Sequence, residues 1–186
     1  MPEFIYKALI DTYLPRYHFK EFHKTEIKIP LINLFEKMVH SDLSRSSLIK
    51  FLFWIRGMPT KIYTVESLSD LGFVKLGEIP GEEILFGRIT ESAMFNNCHT
   101  NFSSSDFIQK SDPTIIKAVI NFRTQNKCHL HNIISTETRV WCGSADMKSK
   151  FRIYWFVVKP FSQMIRKLML SQIKKQILNA SIKNQH

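Results

Sequence analysis

From about Phe22 to Ile29, polar Lys24, Glu26 and Lys28 interleave with Thr25, Ile27 and Ile29. That period of two predicts a half-buried strand. Pro30 then stands where a helix opens, and Leu31, Leu34, Phe35 and Met38 recur at helical spacing until Ser41-Asp42. A second helix is expected from Ser44. Leu48, Ile49, Phe51, Leu52, Phe53, Trp54 and Ile55 make it apolar on nearly every side, so it is buried or faces a cavity. Gly57 and Pro59 stop it. Two runs, Phe73 to Ile79 and Glu82 to Ile89, flank Pro80-Gly81 and read as a hairpin. Thr90 to Asp112 lacks periodicity, yet Phe95, Phe102 and Phe107 predict that part of it folds back onto the body. A further hairpin is expected from Ile115 to Gln125 and His129 to Cys142, turning at Asn126-Lys127. Last comes the longest pattern. Asp146 is placed to cap a helix, and Phe151, Tyr154, Trp155, Val158, Ile165, Leu168, Met169, Ile173 and Ile177 form one stripe. Lys159, Arg166, Lys167, Lys174 and Lys175 are assigned to the opposite face, and Pro160 predicts a kink or break.

The order is strand, two helices, antiparallel strands, long helix, which indicates an α+β domain. A helix with so broad a stripe needs a curved antiparallel sheet to cover it, with the two short helices closing one end. That geometry, a helix-grip fold, leaves an internal cavity. Residues 1–17 read as an N-terminal arm, 18–180 as the domain and 181–186 as a flexible tail.

The 186 residues suit one domain with a real core. Fifteen Phe among 12 % aromatics can line a cavity as well as fill a core. A formal charge of +10 raises the prior for an anionic partner. The cations are spread along the chain, concentrating only from Lys159 to Lys175, so an anionic membrane surface stays open and nucleic acid is disfavoured. Cys98, Cys128 and Cys142 form no CxxC and argue against a disulfide framework. No apolar run approaches the ~18 residues of a membrane span, and no signal peptide is read, so a cytoplasmic protein is expected.

Several blocks together resemble a known superfamily. They are Leu14-Pro15-Arg16-Tyr17, Phe53-Trp54-Ile55-Arg56-Gly57-Met58-Pro59, Gly81-Glu82-Glu83-Ile84-Leu85-Phe86-Gly87, Ser135-Thr136-Glu137-Thr138-Arg139-Val140, and Tyr154-Trp155 followed by Lys159-Pro160-Phe161-Ser162. From about Leu14 to Ile177 the chain resembles an uncharacterised bacterial family of the START-like (SRPBCC) superfamily, which includes polyketide cyclases and lipid-transfer domains. The resemblance implies the helix-grip fold and brings no catalytic set with it. It also implies a short strand after Gly87 ending in an aromatic, where this chain has Arg88 to Asn97 with Phe95 displaced.

Glu137 and Arg139, two apart on one strand, share a sheet face. They form either a polar anchor in an apolar pocket or a structural ion pair tying sheet to helix, and the structural reading weighs more. Arg56 and Arg88 each follow an apolar run. An Arg there can hold a carboxylate or phosphate, while Arg56 can equally bond its own helix's last carbonyls. Cys98-His99 and Cys128-His129-Leu130-His131 invite a metal, but the spacing fits no zinc module, so neither metal nor cofactor is assigned. There is no GxSxG and no phosphate-cradling glycine loop.

The expected function is therefore binding of an apolar or amphipathic small molecule in an internal cavity. Its candidate lining is Trp54, Phe73, Phe86, Arg88, Phe122, Glu137, Arg139, Tyr154 and Trp155. The alternatives are a cyclase or hydratase using Glu137 or a cavity histidine as base, or a membrane or nucleic-acid contact through the basic face of the last helix.

Overall fold

The computed structural model describes residues 7–28, 33–43, 64–92, 98–128 and 131–183. The predicted helix from Ser44 to Ile55, with Trp54 and Arg56, lies outside these, as do Phe95 and His129. In chain order the elements are α1 (Leu9–Tyr13), β1 (Phe19–Ile27), α2 (Leu34–Val39), a 3-10 turn (Glu66–Leu71), β2 (Val74–Ile79) and β3 (Glu83–Thr90). There follow β4 (Cys98–His99), α3 (Ser104–Gln109), β5 (Ile116–Cys128), β6 (His131–Cys142) and α4 (Ala145–Lys183).

The strands form one antiparallel sheet in the order β1-β6-β5-β3-β2, with β4 on the end of β3. The first strand thus lies beside the last. α4 packs against this sheet, so the fold is α+β in a helix-grip-like arrangement, as the periodicities predict. Pairing fixes which residues share a face. On the helix-facing side, Ile27, Ile84, Phe86, Ile120, Phe122 and Ile134 join Leu34, Phe35 and Met38 of α2 and Ile165, Met169, Ile173 and Ile177 of α4 in the main core. The first turns of α4 extend that layer: Phe151 packs edge-on to Phe19 at 4.9 Å, over Ala118 and Val140.

The other side of the sheet is covered too. Ile10 and Leu14 at the N-terminal helix, with Phe107 of α3, close over Leu76, Leu85, Ile89 and Val119. A capping box holds α3 in place, Ser103 Oγ accepting from the Asp106 N–H while the Asp106 carboxylate accepts from the Ser103 N–H. Phe107 is therefore what folds the aperiodic stretch back onto the body. The central strand β5 is buried on both faces from Ile116 to Asn121, more like a strand between two layers than one lining a single core.

Several boundaries differ from the periodic reading. β1 begins at Phe19, not Phe22. The β5–β6 hairpin turns after Cys128 rather than at Asn126-Lys127, because Asn126 pairs with Asn132 and an irregularity lets Cys128 face His131. α4 is capped by Ser144, whose Oγ accepts from the Met147 N–H at 3.3 Å, whereas Asp146 sits in the first turn bonded to Lys150. The helix is continuous through Pro160 and reaches Lys183, so no break occurs and residues 181–183 belong to it. Pro160 is exposed, as is Phe156, the residue whose carbonyl loses its helical donor. Residues 7–17, with the short helix α1, are fastened to the sheet. No helix among the described residues is long and apolar enough to cross a membrane.

Candidate functional site

Cross-strand pairing arranges the helix-facing residues into rungs. One rung runs Phe86, Ile120, Thr138, Glu21, and its neighbour runs Ile84, Phe122, Thr136, His23. The surface is divided: β3 and β5 supply an apolar half, β6 and β1 a polar one. α4 lies over it and contributes Arg166, which is buried and points at the sheet. Its Nη1 donates to Thr136 Oγ1 at 2.9 Å, and its Nε lies 3.8 Å from Glu21 Oε1. The same carboxylate oxygen meets His23 Nε2 at 2.8 Å. Glu21 Oε2 and Thr138 Oγ1, adjacent on one rung, are both buried without a hydrogen-bond partner among the described residues. Buried polar atoms in this state cost free energy, ~1–3 kcal/mol each, and they mark a place where a donor would be gained.

This arrangement corrects the assignment of Arg166 to the solvent face. Its neighbours at helical spacing, Ser162, Met169, Leu170 and Ile173, are all buried, so periodicity placed it inward and only its charge argued otherwise. Lys174 is likewise half-buried. Glu21 was legible in the same way: it shares parity with His23, Thr25 and Ile27, but a strand taken to begin at Phe22 leaves it out. Phe22 itself points outward and is exposed.

Of the residues expected to line a cavity, Phe73, Phe86, Arg88 and Phe122 are on the helix-facing side. Arg88 lies in the rung with Ala118, Val140 and Phe19, and its guanidinium stands 5.5 Å from the Phe73 ring centroid. β3 continues through Arg88 to Thr90 without an aromatic at its end. Tyr154 and Trp155 are half-buried beside Phe151 near the start of α4, on the same side but at the far end from Phe122.

Glu137 and Arg139 are not with them. They project from the opposite face, where Arg139 Nε donates to Glu137 Oε1 at 2.6 Å and Nη2 to Asp11 Oδ1 at 2.6 Å. Nη1 reaches the carbonyls of Ile10 and Leu14 at 3.3 and 3.2 Å, and the Tyr17 ring lies 4.7 Å from the guanidinium. Burial alone would lower the basicity of Arg139; hydrogen bonds and charge from Glu137 and Asp11 outweigh it and raise it. Lys20 also bonds Glu137, at 3.0 Å. Alongside, fully buried Glu83 accepts from the Leu9 N–H at 2.9 Å and from Asn121 Nδ2 at 2.7 Å. This network fastens the N-terminal helix to the sheet. The pair ties sheet to helix, the structural alternative weighed from sequence, with Arg139 and Lys20 both on Glu137 Oε1.

His99 pairs with Glu91 at 2.9 Å and His131 with Glu26 at 3.2 Å. The hydrogen bond from His131 holds the Glu26 carboxyl below its ordinary range. Among the described residues no three His, Cys, Asp or Glu side chains converge on a point that could hold an ion. Cys142 is buried beneath α4, and burial pushes its thiol up to about 11, Lys148 offsetting part of the rise.

No protein-family model matches the chain, and no curated protein matches it at a significant level.

Proposed function

We propose that this is a START-like domain that binds an amphipathic small molecule between the sheet and α4, with the ligand's polar head at Glu21, His23 and Arg166. One observation carries the reading: a buried carboxylate and guanidinium beside a partly buried imidazole, with unsatisfied oxygens on Glu21 and Thr138, set at the edge of an otherwise apolar interior. A protein core seldom places an ionisable pair where methyl groups would pack, because desolvation offsets most of the attraction. A site that must orient a molecule uses this composition: mostly apolar walls with a few converging polar groups. Glu21 Oε2 only accepts and Thr138 Oγ1 can accept or donate, so the favoured head is a hydroxyl or amine that donates to Glu21, and the apolar body lies along Phe86, Ile120 and Phe122.

The second reading is acid–base catalysis in the same place. It draws on the contact between Glu21 Oε1 and His23 Nε2, which is within proton-transfer range. Mass spectrometry of small molecules released from the purified, denatured protein tests both. A stoichiometric amphipathic compound with a donor head is the expected result. Turnover of that compound into one of different mass, lost in His23→Gln, would favour the enzyme. Release of nothing above the level seen from a Glu21→Met/Arg166→Met variant would contradict the proposal.

A further inference from the structure

Along the outward side of α4, Ile153, Phe156 and Val157 are 72 %, 83 % and 60 % exposed, and Met164 is 40 % exposed. With exposed Pro160 they recur at i, i+3, i+4, i+7 and i+11, one stripe about 16 Å long at the rise of an α-helix. Scattered surface apolar residues need no explanation, but a contiguous stripe of them does. Its borders are cationic: Arg152, Lys159 and Lys167 are exposed beside it, and Lys175 continues the face beyond it. From Met147 to Lys183 the helix contains no Asp or Glu.

We infer that this face of α4 docks onto an anionic membrane surface, the helix lying in the interface plane with Ile153, Phe156 and Val157 inserted below the headgroups. Charge selects this occupant among three. A second copy of the chain, meeting the stripe about a two-fold axis, would set Lys159 and Lys167 against their own equivalents with no carboxylate between them. Nucleic acid would be met by the cations, but β-branched and aromatic side chains at the centre of the contact would find no partner on a phosphate backbone. An acidic lipid surface satisfies both halves at once, as for amphipathic helices that lie on membranes. The helix is too polar to cross a bilayer. The inference does not rest on the interior ligand, since the stripe is on the side of α4 away from the sheet.

Vesicle flotation tests it, with phosphatidylcholine alone and with roughly 30 mol % phosphatidylserine added. The full chain is expected to float with the anionic vesicles and to stay behind with the neutral ones. Phe156→Glu and the Lys159→Glu/Lys167→Glu variant should each cut the bound fraction by about tenfold, and raised salt should weaken the wild type similarly. All three positions are exposed, and unchanged thermal melts of the variants establish that they fold. Failure of the wild type to float with anionic vesicles, or flotation unaffected by Phe156→Glu, overturns the inference. So does a dimer in sedimentation velocity that Phe156→Glu dissociates, which gives the face to a second copy. Duplex DNA binding indifferent to Phe156→Glu would give the cations to nucleic acid.

Discussion

Arg166 and Arg139 are both buried arginines beside a glutamate, on opposite sides of the sheet. Arg139 has its donors spent on Glu137, Asp11 and two backbone carbonyls. Arg166 donates to Thr136 and lies 3.8 Å from a Glu21 oxygen, beside Glu21 Oε2 and Thr138 Oγ1, which lack partners among the described residues. On the proposed reading, it is the unpaired oxygens of Glu21 and Thr138 that a ligand would engage. Removing Arg166 alone strands Glu21 in the interior, so Arg166→Ala should destabilise by ~3–5 kcal/mol, whereas the exposed neighbour Lys167→Ala should change stability by no more than ~0.5 kcal/mol. Replacing both charges, in Glu21→Met/Arg166→Met, should restore most of the loss, since apolar residues can take the place of a buried pair. Urea denaturation of the three variants checks this. Equal stabilities of Arg166→Ala and Lys167→Ala would place Arg166 in solvent.

At the scale of elements, the hairpin across Pro80-Gly81 and the long final helix were legible because their signals are local. Gly81 adopts a φ of +79°, which the turn needs and a side chain resists. The stripe from Phe151 to Ile177 lands on the sheet as its period requires. What was not legible depends on contacts between distant segments. Nothing in Leu9 to Tyr13 marks it as the lid of a second core, because five residues carry too few turns of periodicity to show a face. The parity of Glu137 and Arg139 was readable, but which face that parity meant was not. It is settled by pairing with β1 and β5 and by the helix that α1 supplies. The α3 connection joins the strands through a similarly hidden contact: Gly143, after β6, passes so close to the backbone of Asp112 and Pro113 that a methyl group would collide with it. Its N–H donates to the Ile115 carbonyl at 2.9 Å. Gly143→Ala should therefore cost about 1–3 kcal/mol by forcing backbone apart. Thermal denaturation checks it, and an unchanged melting temperature would mean that the two segments are not in contact.

Over the whole molecule, the sheet has two differently built sides. One is sealed by the N-terminal helix and α3. The other meets α2 and α4 across a surface that is apolar on β3 and β5 and polar on β6 and β1. The charge of +10 adds a third distinct surface, the carboxylate-free outer side of α4. On the proposed reading, the divided inner surface holds an amphipathic molecule by its head. A fluorescence titration with aminoanthracene, an apolar ring system bearing one amine donor, tests it most directly when run on the wild type and on Glu21→Met/Arg166→Met. Saturable binding to the wild type, at one equivalent and weakened by about tenfold or more in the double variant, is the predicted result. No saturable binding to the wild type, or equal affinity for both proteins when both melt cooperatively, would contradict it.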